Sequence, residues 1–281
     1  MPELPEVETV RRGLAPVMEG RKIERLETRR PDLRFPFPEN FESRVSGTKL
    51  MRLGRSAKFL TAELSSGEVL IMHLGMSGRF TIDGGAAAQF AIDTHTNEKH
   101  DHVVFHIEGG ARVTYNDPRR FGFMELWPAE TFDTYPRLKT LGPEPLSNGF
   151  HADYLSGALS GKNTPIKTAL LDQSIIAGLG NIYVCEALFR AGISPKRKAA
   201  TIAGKRAERL SPAINAIIAE AIDAGGSSIS DFASTDGSLG YFQHAFDVYD
   251  REGEPCKKCQ NPIKRIVQSG RSSFYCSSCQ R

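Results

Sequence analysis

Four cysteines near the C-terminus constrain this chain of 281 residues more than any other feature. They form two pairs, Cys256-Lys-Lys-Cys259 and Cys276-Ser-Ser-Cys279, separated by sixteen residues. Two residues between thiolates let one tight knuckle aim both sulfurs at a single ion, and a second knuckle completes a tetrahedron. The spacing predicts one structural Zn2+ held by Cys256, Cys259, Cys276 and Cys279. Two disulfides are the alternative, which a reducing compartment disfavours. Four protein ligands close the coordination sphere, so such a zinc holds structure and does not activate water. Around it, residues 251–281 carry seven basic side chains against Glu252 and Glu254. The module stays positive even after the two negative charges of a four-thiolate zinc site, which suits contact with a DNA backbone. The fifth cysteine, Cys185, lies in the apolar run NIYVCEALF and reads as a buried structural thiol.

Composition narrows the class but not the function. Hydrophobic residues make up 40% and charged residues 25%, which excludes a disordered chain. No apolar run reaches membrane-spanning length, and MPELPEVETVRR lacks the apolar core of a signal peptide. The expectation is a cytoplasmic protein with no membrane partner. A net charge of +3 identifies no partner by itself.

Residues 5–18 place Val7, Val10, Leu14, Val17 and Met18 at helical spacing, so a helix is predicted almost at the N-terminus. From about 21 to 128 the pattern changes to short strands: KLMRL, KFLTAEL, VLIMHLG, GRFTI, HVVFHIE, ARVTYN and GFMELW. Residues 83–99 read as a loose insertion between strands. Residues 136–150, rich in Pro and Gly, read as a linker. Helices are then predicted over 151–160, 164–171, 181–191 and 203–224. Read alone, the loop Gly-Leu-Gly-Asn at 178–181 is either a plain turn with Asn181 as N-cap or a helix N-terminus open to an anion. His100-Asp101-His102 is a weak metal pattern.

Taken together, PELPEVE, GRSAKFL, HLGMSGRF, KHDHVVF, NDPRRFGF, LGPEPL, GLGNIYVCEALFRAGI, GYFQHAFDVYDREGEPC and the finger ending GRSSFYCSSCQR resemble the formamidopyrimidine-DNA glycosylases. The resemblance runs in order over essentially the whole chain. It implies an α+β multidomain fold. The parts are an N-terminal β-sandwich with an N-terminal helix (1–135), the linker 136–150, a helix-two-turn-helix domain (151–245) and a C-terminal β-hairpin zinc finger (246–281). It also implies base-excision repair, with removal of 8-oxoguanine and formamidopyrimidines opposite cytosine followed by β- and δ-elimination at the abasic site. The implied partner is damaged double-stranded DNA, expected in the cleft between the domains, and the expected state is a monomer.

The resemblance assigns residues as well. Removal of Met1 frees the secondary amine of Pro2, and an α-amine titrates near pH 8, so a useful neutral fraction is present at physiological pH. Pro2 is the implied nucleophile and Glu3 the group that moves protons at the sugar. Lys58 is the implied proton donor in β-elimination. Arg271, between the cysteine pairs, assists δ-elimination and grips phosphate, for which a guanidinium is suited. Met76, Arg119 and Phe121 match the set that fills the void left by a flipped base. His100, Lys162, Asn163 and Asn181 are implied DNA contacts. The family has a lysine where this chain has Asn163, and Lys162 is the available substitute. Residues 225–242 resemble the loop that covers the flipped base.

Two rival readings share some of these features. An endonuclease VIII-like glycosylase acts on oxidised pyrimidines, but usually begins PEGPE where this chain has PELPE. A non-catalytic zinc-finger DNA-binding protein needs the finger but has no use for Pro2.

Overall fold

A computed structural model describes residues 2–84, 97–227 and 241–281. The chain divides into two compact units, Met1–Lys139 with Ala224–Tyr241, and Thr140–Asp223 with Phe242–Arg281.

The first unit opens with helix α1, Leu4–Met18. Its buried face is Leu4, Val7, Val10, Leu14, Val17 and Met18, the expected amphipathic stripe. The helix starts as early as Leu4 because Glu3 and Glu6 form a capping box. Glu6 Oε2 accepts a hydrogen bond from the Glu3 N–H at 2.9 Å. Pro5 sits in the first turn, where its missing N–H costs nothing.

Eight strands follow among the described residues: β1 (Ile23–Thr28), β2 (Leu50–Ser56), β3 (Phe59–Leu64), β4 (Glu68–His73), β5 (Arg79–Asp83), β6 (Asp101–Ile107), β7 (Ala111–Asn116) and β8 (Phe123–Pro128). A short helix α2, Phe41–Val45, lies between β1 and β2. The strands build two four-stranded antiparallel sheets, ordered β1-β6-β7-β5 and β2-β3-β4-β8. One core joins them to α1 and includes Val10, Leu14, Leu53, Leu60, Leu70, Phe105 and Val113. This is the expected β-sandwich with its N-terminal helix.

Strand β1 and helix α2 were not foreseen in the sequence pattern. The only buried positions in β1 are Ile23 and Leu26, three apart, and its register with β6 shifts between Ile23 and Arg25. A bulge thus turns a two-residue period into an apparent helical one. Most of the 83–99 insertion lies outside the described residues. Its ends are the close of β5 and a 3-10 turn at Glu98–His100.

The second unit holds α3 (Ala152–Leu159), α4 (Ile166–Leu170), α5 (Asn181–Arg190) and α6 (Lys205–Asp223), then the hairpin β9 (Lys264–Gln268) and β10 (Arg271–Tyr275). All four helices fall where the periodicity put them. Residues 142–150 pack onto this unit. The Gly142 N–H donates to Gln173 O, and a Cβ at Gly142 would lie 2.6 Å from the Ser174 and Ile175 carbonyl oxygens.

Between α4 and α5 the side chain of Gln173 braces a double turn. Its Nε2 donates to Leu171 O and Leu179 O, and its Oε1 accepts from the Gly178 N–H. The N-cap of α5 is Gly180, and Asn181 is its first helical residue, so the reading of Asn181 as N-cap is corrected. Cys185 on α5 is buried in a cluster with Phe189, Val248, Cys256, Ile263, Phe274 and Cys276, as a structural thiol should be. The carboxylate of Glu186 accepts from the N–H groups of Asp247, Val248 and Tyr249, which ties the approach to the finger to α5. No helix among the described residues is long and apolar enough to cross a membrane.

Candidate functional site

Pro2 and Glu3 are both buried, with Glu3 2% exposed, at the N-terminal end of α1. Met1 lies outside the described residues. The capping box fixes Glu3, and Val7 N–H donates to Glu3 O at 3.1 Å, so the residue after Pro2 is held by the helix that follows it.

Lys58 lies in the two-residue turn between β2 and β3 and is only 7% exposed. Ala57 before it has φ +50°, a strained value for a residue with a side chain. Arg55 offsets that strain by donating from Nη1 to Ala57 O at 2.9 Å. Across β3 and β4, Phe59 pairs with His73. His73 Nδ1 accepts from the Gly75 N–H at 3.0 Å, so this ring is neutral on that side. Burial, then the charges of Lys58, Arg34 and Arg137, lower its pKa to about 4. His73 opens the HLGMSGRF segment, but the sequence reading took only Met76 from it, because one histidine at the end of an apolar strand carries no chemistry of its own. The structure places it beside the Lys58 charge and at the base of the Met76 turn.

Met76 and Phe121 are large apolar side chains left 38% and 41% exposed. The Arg119 guanidinium stands over the Phe121 ring, 4.8 Å from its centroid. The turns that carry them touch. A Cβ at Gly75 would lie 2.3 Å from the backbone carbon of Phe121, and one at Gly122 would lie 1.8 Å from the Tyr115 hydroxyl. Only glycine permits this approach. Met76, Arg119 and Phe121 are thus brought together as one exposed group. His100, half-buried, ends the 3-10 turn before β6, and its carbonyl accepts from the Asp117 N–H. His102 is buried and donates from Nε2 to Asp117 O at 2.9 Å. Among the described residues the histidines join no candidate metal group.

In the second unit, Arg271 opens β10 directly after the turn Ser269-Gly270, whose two residues have φ +49° and +74°. Positive φ at both positions is the turn that matches hairpin twist. The neighbouring Ser272 carbonyl accepts from Lys167 Nζ at 3.0 Å and Asn181 Nδ2 at 3.1 Å. Lys167 is fully buried on α4, and sequence reasoning missed it because its burial comes from tertiary packing. An open cavity of about 480 Å³ is lined by Lys162, Thr168, Asp172, Ser269 and Arg271, among others. Lys162 and Arg271 therefore face one space, whereas Asn163 is exposed outside that lining.

The sulfurs of Cys256, Cys259, Cys276 and Cys279 all lie within 4.8 Å of one another. Cys256 and Cys279 are 3.9 Å apart, and Cys259 and Cys276 are 3.5 Å apart. Tetrahedral zinc with sulfurs about 2.3 Å away sets its ligands about 3.8 Å apart. The four cysteines fit one structural zinc ion.

Of the loop expected at 225–242, residues 228–240 lie outside the described residues. Its ends meet in a bridge between Ser227 and Tyr241.

Three family models match the chain. They are the formamidopyrimidine-DNA glycosylase N-terminal domain over residues 1–124, the H2TH domain of the same proteins over 141–233, and the zinc finger found in FPG and IleRS over 253–281. The formamidopyrimidine-DNA glycosylases of Ruegeria pomeroyi and Roseobacter denitrificans are 61% and 58% identical to it, over the full length of each chain. Among solved structures, the MutM (Fpg) protein of Thermus thermophilus shares 37% identity at TM-score 0.86, over 99% of this chain and 98% of that one. Lactococcus lactis Fpg in complex with abasic-site DNA shares 33% identity at TM-score 0.88, over 99% of both chains. A mutant of that protein in complex with Fapy-dG containing DNA shares 34% identity at TM-score 0.89, over the whole of both chains.

Proposed function

Since this chain belongs to the formamidopyrimidine-DNA glycosylase family, we propose that it excises 8-oxoguanine and formamidopyrimidines from double-stranded DNA through Pro2 and then cuts the strand. It is a base-excision repair enzyme, a DNA glycosylase and abasic-site lyase. The observation that best supports the Pro2 route is the buried start of α1, where Pro2 and Glu3 are held beside a capping box.

The steps follow from amine chemistry. The neutral Pro2 nitrogen attacks C1′ of the damaged nucleoside. The C1′–N bond to the base breaks, and the base leaves with that electron pair and takes up a proton. Glu3 shuttles a proton to the sugar ring oxygen as the ring opens, giving an iminium between Pro2 and C1′. The iminium acidifies C2′. Loss of a C2′ proton expels the 3′ phosphate in β-elimination, with Lys58 as the proton donor. A second elimination, with loss of the C4′ proton, expels the 5′ phosphate, and water then hydrolyses the iminium, freeing Pro2 and the sugar remnant and leaving a one-nucleotide gap. Arg271 steadies that departing phosphate as a fixed cation, because a guanidinium stays charged.

Met76, Arg119 and Phe121 fill the void left by the flipped base. His100, Lys162, Asn163 and Asn181 contact the DNA backbone, and Lys162 carries the larger share beside Arg271. Residues 1–135 carry Pro2, Glu3 and Lys58, 136–150 link, 151–245 grip DNA with the 225–242 segment over the lesion, and 246–281 form the finger that supplies Arg271. The zinc is structural and holds the hairpin that presents Arg271. The enzyme works as a monomer, where its chromosomal substrate lies in the cytoplasm.

Borohydride trapping tests this reading on a duplex with one 8-oxoguanine opposite cytosine. A covalent adduct that maps to Pro2, and forms only on damaged DNA, is the expected result. Preferential trapping on thymine glycol would redirect the assignment to oxidised pyrimidines. No adduct from protein confirmed to lack Met1 and to hold zinc would end the Pro2 route.

A further inference from the structure

The turn that carries Met76 and the turn that carries Arg119 and Phe121 share one anchor, the fully buried carboxylate of Asp117. Its Oδ1 accepts from the Ser77 hydroxyl at 2.6 Å and from the Arg119 N–H at 3.2 Å. Its Oδ2 accepts from the Gly122 N–H at 2.9 Å and from the Tyr115 hydroxyl at 3.2 Å. The Ser77 oxygen also accepts from the Arg119 N–H at 3.3 Å, which closes a small ring of contacts. The backbone of Asp117 is fixed from outside the ring. Its carbonyl accepts from His102 Nε2, and its N–H donates to His100 O. Burial and the neighbouring Asp117 charge hold the Tyr115 phenol well above its ordinary pKa, so it remains a donor.

We propose that Asp117 is the positioning residue of the void-filling group, binding the two turns together so that Met76, Arg119 and Phe121 enter DNA as one rigid wedge. The alternative is three independent side chains on adaptable loops. Three observations favour the rigid unit. The carboxylate receives donors from both turns and is sealed from water. Its four donors occupy both oxygens, so neither turn can shift without leaving a buried charge short of partners. Finally, Gly75, Gly78 and Gly122 let the turns close onto Tyr115 and each other without intervening side chains. A wedge that must hold its shape while unstacking base pairs benefits from preorganisation, because groups ordered before binding lose no further freedom on insertion. The proposal rests on the void-filling reading of the three exposed residues.

The test uses full-length, zinc-loaded protein with the substitutions Asp117→Asn and Ser77→Ala. Asparagine keeps the shape but turns one acceptor into a donor facing a donor. Three quantities are read: duplex excision of 8-oxoguanine, the fluorescence step of a 2-aminopurine beside the lesion, and cleavage of a pre-formed abasic site in single-stranded DNA. The last needs no void filling. Asp117→Asn should lose about 30-fold in the excision kcat and slow the fluorescence step, with single-strand cleavage within about 2-fold. Ser77→Ala removes one strut and should move the same way by about 5-fold. It decides the matter alone if Asp117→Asn does not fold. Normal fluorescence steps and normal excision in the folded variants overturn the proposal. So does an equal loss in duplex and single-strand cleavage, which marks a general structural role. The triple variant Met76→Ala, Arg119→Ala, Phe121→Ala separates the premise. If it excises normally, the void-filling reading falls and this proposal with it. If it fails while the Asp117 and Ser77 variants work, only the positioning role is wrong.

Discussion

The Glu6 carboxylate accepts two hydrogen bonds from Ser227, one from its N–H and one from its hydroxyl, both at 2.9 Å, across 221 residues of sequence. The same side chain accepts the Glu3 N–H with its other oxygen. One acid in the first turn of α1 therefore links the residue next to Pro2 with the near end of the segment expected to cover the lesion. Gly226 allows that approach, since a Cβ there would stand 3.2 Å from Glu6 at a φ of +76°.

Glu6→Gln should consequently do two things. Replacing an acceptor oxygen with an amide donor faces a donor with a donor, at a cost of about 2 kcal/mol for a buried charge-assisted contact. Urea unfolding should show a lower midpoint with an unchanged slope. Excision should fall further than the lost stability explains, because both linked segments belong to the proposed chemistry. A variant with wild-type stability and wild-type excision would show the contact to be incidental.

The two donors on the Ser272 carbonyl are predicted to set how far the lyase reaction runs. Lys167→Met keeps the buried volume without the charge, and Asn181 remains as a donor to the Ser272 carbonyl. It removes the charged anchor beside Arg271, so β-elimination product should accumulate at the expense of δ-product. Asn181→Ala should shift the ratio in the same direction, and the double variant should show less than the summed effect. Product ratios on a gel, measured from an abasic duplex, decide this. An unchanged ratio in both variants would separate Arg271 from its neighbours.

Acid should weaken the first unit in two separate windows. Burial, reinforced by the charges of Lys58, Arg34 and Arg137, leaves His73 neutral in the fold with a pKa of about 4. The unfolded chain takes up that proton near pH 6.5, so stability falls as pH drops from about 6.5 towards 4, by about 3 kcal/mol. For Glu8, burial alone would raise the pKa. Hydrogen bonds from Arg11 and Arg12 and the charges of Arg11 and Arg55 outweigh it and bring the value to about 2. Its contribution is complete above the unfolded pKa near 4.5 and is lost as pH falls from there towards 2. Denaturation midpoints taken from pH 7 to pH 3 should show both declines. His73→Gln should shrink the upper one, leaving the part that buried His102, also held below its ordinary pKa by burial, contributes, and should leave the lower unchanged.

Zinc removal should act on DNA contact and on δ-elimination more than on the first unit. A four-thiolate site folds its module, and the hairpin carrying Arg271 depends on that module. Chelation should lower DNA affinity and release the finger as a separate low-temperature transition, while the melting of the β-sandwich stays in place. Near-coincident loss of both transitions would show that the finger supports the whole chain.

Much of this was readable beforehand, for reasons that differ by region. Strands β2 to β8 announced themselves through short apolar runs between Gly, Pro and Asp, and the helices through their spacing. The cysteine knuckles declared the zinc by spacing alone. Asp117, His73 and Lys167 were not readable. Asp117 and His73 sit inside segments that carry the family resemblance and Lys167 in an ordinary stretch, but each gains its role only when register or packing brings a distant donor, acceptor or charge to it. Asp117 meets Ser77 because β5 pairs with β7, a relation between strands far apart in sequence. Asn163 and Lys162 show the reverse case. A family pattern pointed to the second of the pair, but the cavity shared with Arg271 is lined by the first.

The Ser272 carbonyl has a consequence for how the protein can vary. Its partners are side chains, Lys167 and Asn181, but the acceptor itself belongs to the main chain. No point substitution can delete that oxygen, and many residues could occupy position 272 while presenting it unchanged. Drift at the finger is thus uncoupled from drift in the helices that hold it. A mutational scan of the lyase products would find two sensitive positions on α4 and α5, while the carbonyl they serve lies beyond the reach of any side-chain change.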